Sequence, residues 1–283
     1  MEPLVFISLL LLLGLVSGFL AALSSTGPSL LLVPVLTALY SLQSYSADLP
    51  TKIAVVNSLA TTCSVFLTCT FLHHRLGHFQ EGSALMLFCG AILGAIVGVG
   101  LAPSLDSSLI LGIIATGLII VGVTLIQRPD GYAEIFEKLA LPTKRRRGVL
   151  GKLELFAIGL SSGVFSSATG VGSGLVAIPL QFMFGMPVLA AIHNASLATS
   201  FSSFTALVGY LFFDSKLTPL FSEMGIREIF HLAALVVGGM IGARLGVSAA
   251  NSRYQQKFRF LIGPLYILVG LGIIVPGYFL MLD

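Results

Sequence analysis

The chain has 283 residues, 56% of them apolar and only 10% charged, with 15 Lys and Arg against 12 Asp and Glu for a net charge of +3. A soluble domain carries roughly 25% charged residues, so a mean hydropathy of +1.00 excludes a water-soluble enzyme, a disordered chain and a secreted disulfide scaffold. The expected solvent is the lipid bilayer, and neither nucleic acid nor a cofactor is expected. With 31 glycines and no tryptophan, close helix packing is expected, and interfacial anchoring falls to seven tyrosines and the basic residues.

Crossing a hydrocarbon core takes about 19 residues, and the first apolar segment, residues 3 to 23, meets that length. Its flank carries Glu2 and no Lys or Arg, which is wrong for a secretory signal. A shorter segment, 29 to 42, follows the break LSSTGPSLLLVP. Pro28 suits a first helical residue there, with Gly27 or Thr26 as the cap. The third segment, 52 to 72, opens with Asn57, Ser58, Thr61 and Thr62, whose spacing lines one helix stripe. That stripe suits a binding site or interhelical hydrogen bonds. A loop with His73, His74, Arg75 and His78 comes next; no Cys or acid stands at ligand spacing, so it reads as an interfacial basic loop and not a metal site. Segments 84 to 103 and 108 to 127 complete the first half. Cys63, Cys69 and Cys89 all lie in apolar stretches and read as reduced core thiols.

Residues 128 to 152 form a basic linker, in which Tyr132, Ile135, Phe136 and Leu139 recur at helical spacing beside Glu134, Glu137 and Lys138. An amphipathic surface helix is expected there. The apolar pattern then returns at 153 to 168, 173 to 186, 189 to 213, 229 to 249 and 259 to 280.

The second set repeats the first. Gly14, Gly18, Gly27 and Pro34 recur as Gly159, Gly163, Gly172 and Pro179; the string SLAT occurs at Ser58 and again at Ser196. Gly90, Gly94, Ala95 and Gly98 return as Gly238, Gly242, Ala243 and Gly246, and Gly122 as Gly270. Residues 1 to 127 and 153 to 283 are therefore two repeats of about five hydrophobic segments. An odd number of crossings in each makes them inverted with respect to one another. The fold class expected is an all-α polytopic membrane protein with broken or re-entrant helices near the midplane.

Lys and Arg set orientation. The run Lys144, Arg145, Arg146 and Arg147 places the central loop in the cytoplasm and both termini outside. Every Asp and Glu falls in a loop or at a segment end, none at mid-membrane, which disfavours a carboxylate-coupled cation porter. Arg244 lies near the inner end of its segment, where its side chain reaches the surface by snorkelling. His193 reads as a hydrogen-bonded residue at a helix end. Zinc-protease, phosphate-loop and nucleophile-elbow patterns are absent, so no enzyme is expected.

The break in the second half reads ATGVGSGLVAIP. Irregular backbone at membrane depth is tolerated only when buried in protein or lining a watery cavity, and a helix starting there aims a partly positive N-terminus at the same spot. Its glycines also suit tight helix packing. The candidate substrate-binding residues are Ser24, Ser25, Thr26, Gly27, Ser29, Asn57, Thr61, Thr169, Gly170, Gly172, Ser173, Gly174, Asn194 and Thr199.

The string GVGSGLVAIP, with the later GGMIGARLG, resembles the sulfite exporter TauE/SafE family, also described as toluene sulfonate uptake permeases, from Gly14 to about Gly277. The first half departs from that pattern, with SSTGPS in place of a glycine cluster. The resemblance implies transport of sulfite, sulfonates or sulfoacetate-like anions across a bacterial inner membrane. The leading expectation is a secondary transporter of small anions, with H⁺ or Na⁺ as coupling ion, one repeat rocking against the other, and homo-oligomers possible. The alternatives are a non-transporting accessory protein and a passive anion channel.

Overall fold

The computed structural model describes residues 3–24, 27–41, 49–75, 81–127, 149–184, 186, 188–213, 226–250 and 255–274. The protein is an all-α polytopic membrane protein, and the described residues contain no strand. In chain order the helices are α1 (Pro3–Ser24), α2 (Ser29–Ser41), α3 (Leu49–Arg75), α4 (Glu81–Leu101), α5 (Ser107–Gln127), α6 (Val149–Thr169), α7 (Gly174–Met183), α8 (Val188–Phe213), α9 (Ile226–Ala250) and α10 (Gln255–Ile274), with one 3₁₀ turn after α4. Each apolar segment becomes one helix, because a chain in lipid must satisfy its backbone groups internally. Four described spans, Leu4–Leu23, Pro50–Arg75, Ala84–Ser104 and Ile229–Ala249, are long and apolar enough to cross a bilayer. The amphipathic helix expected near Tyr132 lies outside the described residues, as does His78.

The most extensive packing joins α1 to α9 and α4 to α6, one helix from each half in both pairs. Both pairs are parallel and glycine-lined. Gly14 and Gly18 press on Leu235 and Gly239, and Gly238, Gly242 and Gly246 return the contact to Leu11, Leu15 and Phe19. In the other pair Gly159 and Gly163 press on Leu87 and Ala91, while Gly90, Gly94 and Gly98 meet Phe156, Leu160 and Val164. The nearest atoms are main-chain, so a Cβ at Gly18 would run into the Gly239 carbonyl and one at Gly163 into that of Ala91. Without a hydrophobic drive between helices in lipid, this close backbone approach gives dispersion its full strength.

Between the two pairs α3 packs on α8, and α5 packs antiparallel on α10, where Gly122 meets Gly263 and Gly270 meets Ala115. The short helices α2 and α7 lie against α3 and α8. Both carry an interior proline, Pro34 and Pro179; each removes one backbone donor from its helix. Leu30, Val33, Val55, Leu59, Ile114, Leu118 and Val171 form the apolar core around these helix starts. Leu4, Leu12, Leu93, Ile96, Phe212 and Leu268 are exposed on the outside, a pattern that suits lipid contact.

Candidate functional site

Each of the two breaks, after α1 and after α6, carries a glycine in a backbone conformation that other residues rarely adopt. Gly27 has φ of 97° and Gly170 has φ of 75°, a left-handed backbone that L side chains adopt only at a cost of roughly 1–2 kcal/mol. At Gly170 the amide donates to Ser166 O at 2.9 Å, closing α6 with a C-terminal turn. Thr169 Oγ1 donates to Phe165 O at 2.7 Å and accepts the amide of Val171 at 3.3 Å.

The following short helices start within a few residues. Leu32 N–H donates to Pro28 O at 3.0 Å, and Ala177 N–H to Ser173 O at 2.8 Å. Pro28 is therefore the capping position and not the first helical residue expected, a one-residue difference that leaves its missing N–H harmless. Ser173 caps α7 with its carbonyl, and its hydroxyl turns instead to Thr199 Oγ1, 2.6 Å away on α8.

The two breaks meet. A Cβ on Gly27 would lie 3.3 Å from the Gly172 Cα, and one on Gly172 would lie 3.3 Å from Thr199 Cγ2 and 3.6 Å from Phe66 Cε2. One hydrogen bond joins the loops directly, from the Gly172 amide to Ser29 Oγ at 2.9 Å. Ser58, on α3, donates to Val55 O at 2.7 Å and reaches Gly170 O at 3.5 Å. The amides of Gly170, Val171 and Gly172 are thus all engaged within the protein.

Of the residues singled out from sequence, Gly27, Ser29, Thr169, Gly170, Gly172, Ser173 and Thr199 come together here, and Gly174 opens α7 as a buried residue. Ser24 ends α1; Ser25 and Thr26 lie outside the described residues. Asn57 is bonded instead to Tyr40 of α2, its Nδ2 donating to the phenol oxygen at 2.8 Å, and Thr61 donates to Asn57 O at 2.9 Å. Asn194 sits further along the α7–α8 pair, where Gln181 Nε2 donates to Ala177 O and Ala191 O and its Oε1 stands 3.5 Å from Asn194 Nδ2. Gln181 and Tyr40 were not foreseen. Gln181 is the one side-chain amide in the apolar stretch GLVAIPLQFM, and that isolation was a usable signal.

The site is electrically neutral: among the described residues no Asp, Glu, Lys or Arg is buried. Arg244 is exposed, and no metal-binding group of His, Cys, Asp or Glu occurs among the described residues. The loop reading of His73 needs correction: it belongs to the last turn of α3, and its ring packs on that of His193 with centroids 4.3 Å apart. Hydroxyl and amide oxygens are plentiful, and Thr62 Oγ1, Ser166 Oγ, Ser203 Oγ and Asn194 Oδ1 are buried with no hydrogen-bond partner.

Buried hydroxyls in the bilayer are worth about 0.6 kcal/mol on average and at most about 1.7 kcal/mol by double-mutant cycles. The short Ser173–Thr199 bond is expected near the upper end. Unfolding of Ser173→Ala, Thr199→Val and the double variant in mixed micelles should give a coupling of about 1 to 1.7 kcal/mol; additive losses would show that the pair is merely adjacent.

Residues 10–273 match the family described as Sulfite exporter TauE/SafE. The chain is similar to "Probable membrane transporter protein YunE" of Bacillus subtilis, 24% identical over 96% of this chain and 98% of that one. It is also similar to a "Probable membrane transporter protein" of Haemophilus influenzae, at 25% identity over 86% of this chain and 89% of that one. No solved structure matches the chain significantly.

Proposed function

The chain belongs to the sulfite exporter TauE/SafE family, and from that membership we propose that it is a secondary transporter of small anions, sulfur-containing oxyanions or organosulfonates, working by alternating access of two inverted repeats. The observation that carries this reading is the meeting of the two broken-helix loops, one from each half, at Gly27 and Gly172. Reciprocal glycine contacts support the inversion, since each contact in one pair has its counterpart in the other.

The chemistry follows from the donor set. A desolvated oxyanion needs several hydrogen bonds, and a site without buried cations supplies them from neutral groups. Ser29, Ser173 and Thr199 carry hydroxyls, and the Gly172 amide is held by a neutral hydroxyl acceptor. A charged acceptor makes bonds roughly twice as strong as a neutral one, so an anion entering between the parted loops displaces the Ser29 hydroxyl from that amide. The start of α7 adds its partial positive charge. With no buried carboxylate among the described residues, charge balance falls to the substrate's own proton or to Na⁺ held by hydroxyl and carbonyl oxygens. On the charge distribution the linker 128 to 152 is cytoplasmic and both termini face outward; family membership points to a bacterial inner membrane.

Thermal unfolding of the purified protein against sulfite, sulfate, thiosulfate, sulfonates and carboxylates tests the proposal. A ligand at a hundred times its Kd stabilises the folded state by about 2.7 kcal/mol, so one anion class should raise Tm and chloride should not. Failure of every anion to raise Tm would overturn it.

A further inference from the structure

The packing decides which parts of this molecule are free to move against one another. The five most extensive helix contacts, α1 with α9, α4 with α6, α5 with α10, α4 with α8 and α3 with α8, all run between the halves. Inside a half the most extensive contact is α2 on α3, which matches α3 on α9, and the contacts of α7 with α6 and α8 are thinner. The central core cluster draws on both halves, from Leu20, Leu59 and Leu118 to Val171, Tyr210 and Tyr266.

Two of those inter-half contacts are of a special kind. Along α1 and α9 the meeting atoms are main-chain carbonyls and amides at Leu11, Leu15, Phe19, Leu235 and Gly239, facing glycines at each level. The α4–α6 contact is built in the same way, from Leu87 and Ala91 to Val164. Side-chain interfaces slide by hopping between rotamers, but backbone set against backbone has no rotamers to exchange. A shift of one glycine against its partner carbonyl meets the next residue's Cβ, and packed interfaces are bistable, not continuously deformable.

We infer that the moving units are two inter-half struts, α1 with α9 and α4 with α6, and not the sequence repeats. Each strut takes one helix from each half and keeps its internal geometry. Opening and closing of the loop site occurs by displacement of one strut against the other, across the contacts of α3 and α8. The loops are well placed for this: α1 leads directly into Gly27 and α6 into Gly172, so each strut carries one of the two loops. Parting the struts parts Gly27 from Gly172. Rocking of intact repeats, by contrast, would have to shear both glycine seams at once. This inference rests on the transporter reading above for the ligand that drives the movement.

Four exposed positions give a direct test: Leu4 on α1, Ile229 on α9, Leu85 on α4 and Leu153 on α6. Spin labels are introduced in pairs by cysteine substitution in a background with Cys63, Cys69 and Cys89 replaced, and distance distributions are measured in lipid nanodiscs. Measurements are made with and without sulfite, thiosulfate and a sulfonate, beside Tm. For an anion that raises Tm, the strut pairs Leu4→Cys/Ile229→Cys and Leu85→Cys/Leu153→Cys should keep narrow, unmoved distributions. The within-half pairs Leu4→Cys/Leu85→Cys and Leu153→Cys/Ile229→Cys should shift or broaden. If Tm rises and the strut pairs move, or no pair moves, the inference is overturned while the transport reading stands. If no anion raises Tm, the transport reading fails; the struts are then judged without ligand, and strut distributions as broad as the within-half ones overturn them.

Discussion

Gly18→Ala should lower the stability of the folded protein sharply, while Gly112→Ala, the same chemical change in another helix, should leave it equal or higher. A methyl group added at Gly18 would run into the Gly239 carbonyl, whereas at Gly112 it would meet nothing within 4 Å. Overpacking a close-fitted interface costs about 1–3 kcal/mol, and here the obstacle is backbone, which cannot turn aside as a side chain can. Against a total stability of roughly 5–15 kcal/mol that is a large share, and Gly18→Val should leave no monodisperse protein after extraction. Gly163→Ala, the corresponding position in the α4–α6 strut, meets the Ala91 carbonyl and should behave like Gly18→Ala. At Gly112 only helix propensity changes, a gain of up to about 1 kcal/mol. Unfolding midpoints of the three variants beside the parent check this; equal losses at Gly18 and Gly112 would show that the glycine contacts are not what holds α1 to α9.

Gly172→Leu should abolish ligand-induced stabilisation in a protein that still folds. Its φ is not in the left-handed range that strains Gly27 and Gly170, so backbone strain is not the issue. A Cβ there would stand 3.3 Å from Thr199 Cγ2 and 3.4 Å from the Gly27 Cα, tight but tolerable with a few tenths of an ångström of give. The further carbons of leucine have no such room, and they fill the space between the loops that an oxyanion would enter. Loss of even one ligand contact worth about 1.4 kcal/mol is tenfold in Kd, and a leucine side chain set between the loops should exceed that. The measurement is the Tm increment with the stabilising anion in the parent, in Gly172→Ala and in Gly172→Leu, together with the unliganded Tm of each. A full increment in Gly172→Leu would remove the loops from the binding site.

Much of this arrangement could be read in one dimension. Hydropathy found the segments that became the ten helices, with ends moving by a few residues, as at Leu49 and Val149, where the helix starts ahead of the apolar stretch. The breaks were legible because glycine, proline and hydroxyl residues cluster where a lipid-facing helix would not carry them, and the structure places both at helix ends with Gly27 and Gly170 at positive φ. Partnership was not legible. A glycine every fourth residue on α1 says that something comes close on that face; nothing local says that it is α9. Polar pairs were missed for a related reason: Gln181 with Asn194, and His73 with His193, are contacts between helices whose relative rotation only the whole bundle decides. The bond from Asn57 to Tyr40 of α2 was hidden for the same reason.

The parallel α1–α9 seam also bears on biogenesis. Gly14 leaves the ribosome long before Gly238, and at about 5–20 residues per second the interval is roughly ten to forty seconds. During that time the first helix stands in the bilayer with its glycine face covered only by acyl chains or by the insertion machinery, since its partner does not yet exist. The nascent first half accordingly lacks the partner for its glycine face. Assembly therefore has to wait until the ninth helix arrives, and a chain cut short in the second half would present an adhesive open groove to its neighbours in the membrane.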